Sequence, residues 1–166
     1  MLLTILGGCG AWPAAGQACS GYLVEHDGFR LHEFAVGSAF DLGPFRAQTR
    51  LLPHSVPNAG VRLTAGGRVL TYTGDSGPSP DRVELARDAD LLLAEATYVD
   101  QVPEDLRRHL TGARQAGRQA LEAHVRHLLL THLQPGTDTS AARAAAGAEY
   151  DGEIGIATSG LVFDLS

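Results

Sequence analysis

The feature that most constrains this chain is a change of pattern after Asp75. Before it, short apolar stretches are separated by hairpin signals. After it, compact apolar runs alternate with segments of helical spacing. Asp27-Gly28 and Gly66-Gly67 are the hairpin signals, because a two-residue turn needs positive φ angles that such pairs accept. Strands are expected from Phe29 onward, over Val61–Ala65 and over Arg68–Thr73, with Leu2–Leu6, Tyr22–Glu25 and Phe45–Leu52 as others. Leu31 to Asp41 shows no dominant period. Beyond Asp75, the leucine runs in Asp90–Glu95 and His127–Thr131 read as strands buried on both faces, as in a parallel sheet. Asp81–Arg87, Thr111–Ala123 and Ser140–Ala148 read as helices. Thr111 suits an N-cap, and Ala113, Ala116, Ala120 and Leu121 share one helical face. Glu153–Ala157 and Leu161–Asp164 close the chain as strands. Meanders followed by βα units predict an α/β layered domain.

With 166 residues the chain has room for one domain, spanning 1–166, and not comfortably for two. A net charge of -6 argues against a broad nucleic-acid face, leaving a local basic patch around Arg107, Arg108, Arg114 and Arg118. The apolar start, Met1 to Leu6, lacks any Lys or Arg before Arg30 and is broken by glycine, so it reads as a first strand rather than a signal peptide. No apolar run is long enough to span a bilayer, so no membrane partner is expected. Cys9 and Cys19 do not make a disulfide framework and are expected as free thiols in a reducing cytoplasm.

Three segments place a metal-competent side chain at a strand end: Leu52-Pro53-His54-Ser55, Thr73-Gly74-Asp75-Ser76-Gly77 and Leu130-Thr131-His132-Leu133. Imidazole nitrogens and carboxylate oxygens suit zinc or manganese. A fourth, His109-Leu110-Thr111-Gly112, puts a histidine near a helix start, where backbone N–H groups favour an anion. Each has an ordinary explanation when taken singly: loop histidines are mostly surface residues, and Gly-Asp-Ser-Gly is a common turn. Together and in this order they are more specific.

In that order they resemble the later motifs of metallo-β-lactamase-fold hydrolases of the ribonuclease Z-like, phosphodiesterase branch. The resemblance implies an αββα sandwich, with His54 and His132 as ligands of two different metals and Asp75 bridging them. It also implies that His109 helps protonate a leaving group, and that Asp75 counts with it as catalytic. Ala94-Glu95-Ala96-Thr97 is similar to the family's strand before that loop.

The family's His-x-His-x-Asp-His signature is missing, and no His-x-His occurs anywhere. An internal deletion is therefore expected near 31–33, truncating the N-terminal half of the fold. Each metal would keep two protein ligands, fewer than the three of an ordinary catalytic site, unless His26 or His32 substitutes. Zinc or manganese is accordingly expected to bind weakly or not at all, with hydrolysis impaired or absent; the alternative is a non-catalytic scaffold remnant or a binding protein of the same fold. The expected substrate is a small molecule or phosphodiester, not transfer RNA, because Ser76 to Arg108 leaves no room for a substrate-gripping arm. Uncovered edges predict a homo-oligomer, a segment-swapped dimer or a chain of only marginal stability.

Overall fold

The computed structural model of the protein describes residues 1–7, 21–24 and 34–165. In chain order the first strands are β1 (Leu2–Gly7), β2 (Gly21–Val24), β3 (Ala39–Leu42), β4 (Phe45–Leu52), β5 (Asn58–Ala65) and β6 (Arg68–Tyr72). There follow α1 (Pro80–Ala86), β7 (Leu91–Glu95), α2 (Ala113–Glu122), β8 (His127–Thr131), α3 (Thr139–Gly147), β9 (Glu153–Ile156) and β10 (Val162–Asp164). The strands form two sheets, one ordered β10-β1-β2 and one ordered β3-β4-β5-β6-β7-β8-β9.

The change of pattern after Asp75 is a change of topology. From β3 to β6 the larger sheet is antiparallel and hairpin-connected; from β6 to β9 it is parallel. Gly66 and Gly67 turn β5 into β6 with φ of 57° and 75°, conformations an L side chain resists. Parallel neighbours cannot be joined by a tight turn, so α1, α2 and α3 each carry one crossover. Ser79 caps α1 by accepting from the Arg82 amide, and Asp138 caps α3 by accepting from Ser140 and Ala141.

The helices lie on one face of the larger sheet. Leu92, Ala94, Leu128 and Leu130 meet Ala113, Ala116, Ala120, Ala142 and Ala146 there, in one buried cluster. The small residues let α2 and α3 approach closely: a Cβ on Gly117 would lie 2.3 Å from the Ala146 carbonyl oxygen. The opposite side chains, Leu70, Leu91, Leu93 and Leu129, form a second cluster with Leu165 and the partly buried Leu161 and Phe163. Each fully buried leucine stabilises the fold by roughly 1.5–3 kcal/mol of apolar transfer. Among the described residues no helix is long and apolar enough to cross a membrane.

Several expectations need correcting. β3 overlaps the end of the stretch that showed no period. β5 starts at Asn58 rather than Val61, because Asn58, Ala59 and Gly60 pair with Leu52, Leu51 and Arg50 despite weak strand preference. The N-cap of α2 is Gly112, without a side-chain bond, since the Thr111 hydroxyl donates to the Ser76 carbonyl at 2.6 Å. The expected hairpin at Asp27-Gly28, the strand from Phe29, Cys9, Cys19, His26, His32 and the deletion near 31–33 lie outside the described residues.

Candidate functional site

Asp75 follows β6, Glu95 ends β7 and His132 follows β8, so all three leave the same edge of the parallel half-sheet. β4 runs the same way as β6, because two antiparallel pairings separate them, and His54 follows β4. The strand-end placement inferred from sequence thus brings His54, Asp75 and His132 to one rim. Gly74 allows the turn into Asp75: its φ is 59°, and a Cβ there would meet Asn58 Oδ1 at 2.2 Å. His132 itself has a φ of 59°, an uncommon backbone for a residue with a Cβ and one that recurs at functional sites.

The two histidine rings are anchored through Nδ1. His54 Nδ1 lies 2.9 Å from the His109 carbonyl oxygen. A carbonyl only accepts, so Nδ1 carries the hydrogen and the neutral ring keeps its lone pair on Nε2. His132 Nδ1 lies 2.9 Å from Thr97 Oγ1, and its Nε2 lies 3.1 Å from Asp75 Oδ2. Burial pulls the His132 pKa down, but the hydrogen bond and charge of Asp75, with Glu95 behind, outweigh it and leave it raised. Burial likewise pushes Asp75 up, and His132 and His54 more than offset it, so its carboxyl lies below the ordinary value.

Behind this rim is a buried polar network that the sequence reading did not identify. Glu95 is fully buried and accepts from the Thr97 hydroxyl at 2.6 Å, from the Thr111 amide at 3.3 Å and from the Ser76 amide. Burial pushes its pKa up, against Thr97, the Arg82 charge and Ser76. Arg82 is also buried; its Nη1 donates to the Ser76 carbonyl at 2.8 Å and to Thr111 Oγ1. Burial lowers its pKa to about 10, with the Glu95 charge opposing. The signal was available: a glutamate at the end of a Leu-Leu-Leu-Ala run cannot be buried without partners.

His109 is brought to the site by its backbone. Its carbonyl holds His54, while its ring Nδ1 is buried without a hydrogen-bond partner among the described residues. Gly77 lets this loop come close, and its amide donates to the Pro53 carbonyl at 2.8 Å, next to His54. The expected anion site at the start of α2 is not formed as anticipated. The Ala113 and Arg114 amides are taken up by the Tyr98 and Val99 carbonyls, and His109 precedes the helix by a full turn. The expected basic patch is largely neutralised: Arg107 pairs with Glu104, Arg114 with Asp100 and Glu149, and Arg118 with Glu149.

As a test of metal fit, the donor chemistry is suitable: Nδ1 of each ring is engaged, and Nε2 of His132 faces a carboxylate. Among the described residues the donor number falls short: no group of three or more His, Cys, Asp or Glu side chains is placed to hold a metal ion.

The profile of the family described as Beta-lactamase superfamily domain matches residues 15–133. An uncharacterized protein of Mycobacterium leprae is 37% identical over 159 residues, covering 93% of this chain and 56% of that protein. A ribonuclease Z of Myxococcus xanthus is 42% identical over 103 residues, covering 60% of this chain and 33% of the enzyme. The crystal structure of the metallo-beta-lactamase fold protein YhfI from Bacillus subtilis superposes with a TM-score of 0.88 at 22% identity, covering 98% of this chain and 99% of that one. The chain spans about half the length of the first curated relatives it matches.

Proposed function

The chain belongs to the beta-lactamase superfamily, with the metallo-β-lactamase fold, and on that premise we propose that it is a phosphodiesterase-like metallo-hydrolase with impaired or absent turnover in this form. The observation that carries the reading is the His132–Asp75 pair, an imidazole and a carboxylate 3.1 Å apart at a strand-end rim, with the ring anchored from behind. Similarity to a ribonuclease Z favours a phosphodiester over a β-lactam as the substrate class.

Any zinc or manganese would have His54 and His132 as ligands of two different ions, with Asp75 between them, and would supply polarisation of the substrate oxygen and hydroxide at neutral pH. The chain's own residues do the rest. The His109 carbonyl and Thr97 fix the two rings so that Nε2 of each is the free nitrogen when neutral, and Asp75 lies beside His132 as the shared carboxylate. His109 is left with Nε2 for proton exchange with a leaving group, because its Nδ1 is buried. With this donor set, metal is expected to bind weakly.

The second reading, a non-catalytic scaffold or binding protein of the same fold, is favoured by the missing His-x-His-x-Asp-His motif. Isothermal titration with zinc, together with hydrolysis of bis(p-nitrophenyl) phosphate, separates the two. Zinc binding and slow hydrolysis that both disappear in His132→Ala support the hydrolase. Hydrolysis unchanged by His132→Ala sinks the site, and no zinc binding with no hydrolysis supports the scaffold. We further propose a single domain over 1–166 with an internal deletion near 31–33, a cytoplasmic location, no use of transfer RNA, and association into a homo-oligomer or segment-swapped dimer. Sedimentation showing a stable monomer would remove the last.

A further inference from the structure

We propose that Glu95 is the positioning residue of this site: one buried carboxylate that holds the Asp75 turn, the His109 loop and, through Thr97, the His132 ring. The inference rests on the reading above that these three segments form one site. Its basis is the pattern of donors. Ser76, whose amide donates to Glu95 Oε2, is next to Asp75 in the chain. Thr111, whose amide donates to Oε1, stands two residues beyond His109. The Thr97 hydroxyl also donates to Oε1, at 2.6 Å, and its oxygen is 2.9 Å from His132 Nδ1.

The direction of these bonds gives the inference its content. A hydroxyl has one hydrogen, and a carboxylate only accepts. Once the Thr97 hydrogen is committed to Glu95, Thr97 Oγ1 can act toward His132 only as an acceptor. Nδ1 of His132 must then carry a hydrogen; in the protonated ring Nε2–H donates to Asp75 as well, and Nε2 is the nitrogen that gives up its hydrogen when the ring becomes neutral. A carboxylate two bonds away in the network therefore selects the nitrogen that His132 presents. Arg82 grips the same two peptide segments from the other side, through the Ser76 carbonyl and the Thr111 hydroxyl. Ser76 and Thr111 are thus each bound at two groups, between a buried anion and a buried cation.

The test uses the full chain, 15N-labelled and metal-free, with two-bond 1H–15N correlation of the imidazoles at about pH 9, above the ordinary histidine range. In the wild type, the His132 Nδ1 is expected to appear protonated and Nε2 unprotonated. In Thr97→Val, which removes the acceptor, the assignment should reverse, with Nε2–H turning to Asp75; Thr97→Ser should keep the wild-type pattern. In Glu95→Gln, the amide protons of Ser76 and Thr111 should move upfield together while those of β8 and β9 stay in place. A wild-type ring with its lone pair on Nδ1, or a Thr97→Val ring that keeps Nδ1–H, overturns the proposal, and the wild-type measurement decides even if a variant does not fold. Zinc titration is the separate arm: where the wild type binds zinc, Thr97→Val should weaken it by about 10–100-fold, the range for outer-shell partners. A wild type that binds no zinc removes the metal reading and leaves the ring assignment as evidence on Glu95 alone.

Discussion

Gly77 is where the site is most sensitive to one added carbon. A Cβ at this position would stand 2.2 Å from the Arg108 carbonyl oxygen, 2.4 Å from its carbon and 2.8 Å from the His109 nitrogen. These are backbone atoms, so no side-chain rotation relieves the overlap. Ordinary contact begins at 3.4 Å, so in Gly77→Ala the His109 loop or the Asp75 turn must retreat by about 1 Å. Overpacking of this kind costs about 1–3 kcal/mol. The retreat also stretches the bond from His54 Nδ1 to the His109 carbonyl, adding about 0.5–1.5 kcal/mol. The sum, about 1.5–4.5 kcal/mol, corresponds to a fall in Tm of about 3–18 °C for a chain of this length. Gly147→Ala is the control: it lies at the end of α3, with only Ile154 Cδ1 at 3.7 Å, and should stabilise by about 0.4–1 kcal/mol. Thermal unfolding followed by circular dichroism checks both. A Gly77→Ala protein melting within about 1 °C of wild type would refute the claim that close backbone contact assembles the site.

The His132–Asp75 pair predicts a pH window. The Asp75 pKa is depressed, so its contribution is present above the unfolded value near 3.9 and is lost as pH falls through the folded one. The His132 pKa is raised, so its contribution is present below the unfolded value near 6.5 and is lost as pH rises through the folded one. The stability gap between wild type and Asp75→Asn in chelator should therefore be widest from about pH 4 to 6.5; a gap that grows toward pH 9 contradicts the assignment. Arg82→Met should cost about 3–5 kcal/mol in urea unfolding by leaving Glu95 buried without its cation, and Arg82→Met with Glu95→Gln should recover part of the loss. Strict additivity of the two changes would show that the charges do not act together.

The parts of this protein that were legible in its sequence are those governed by short-range pattern. Gly66-Gly67 fixed the β5–β6 hairpin, and the leucine runs marked β7 and β8, because turn conformation and burial on both faces each leave a local signature. β3 was missed because four residues between Gly37 and Gly43 carry too little alternation, and its pairing to β4 supplies the strand. Thr111 was read as a cap because its type and position suit one; the choice between capping α2 and bonding Ser76 was decided by a partner 35 residues away. Separation in sequence likewise hid Glu95, Thr97 and Arg82, which bond Ser76, His132 and Thr111 from 19, 35 and 29 residues away. Their roles exist only once β6, β7 and α1 are packed, whereas His54, Asp75 and His132 announce themselves by residue type at strand ends.

The switch from antiparallel to parallel pairing at β6 also orders events in time. β4, β5 and β6 are joined by short turns, so their contacts close small loops and can form early. β7 and β8 dock only after whole crossover segments have been placed, which costs more loop-closure entropy. The rim that carries Asp75, Glu95 and His132 belongs to the late half. A nascent or refolding chain should therefore hold protected amides in β4–β6 before it has a site, which pulse-labelled hydrogen exchange would show as protection of Val61 and Leu63 ahead of Leu128 and Leu130.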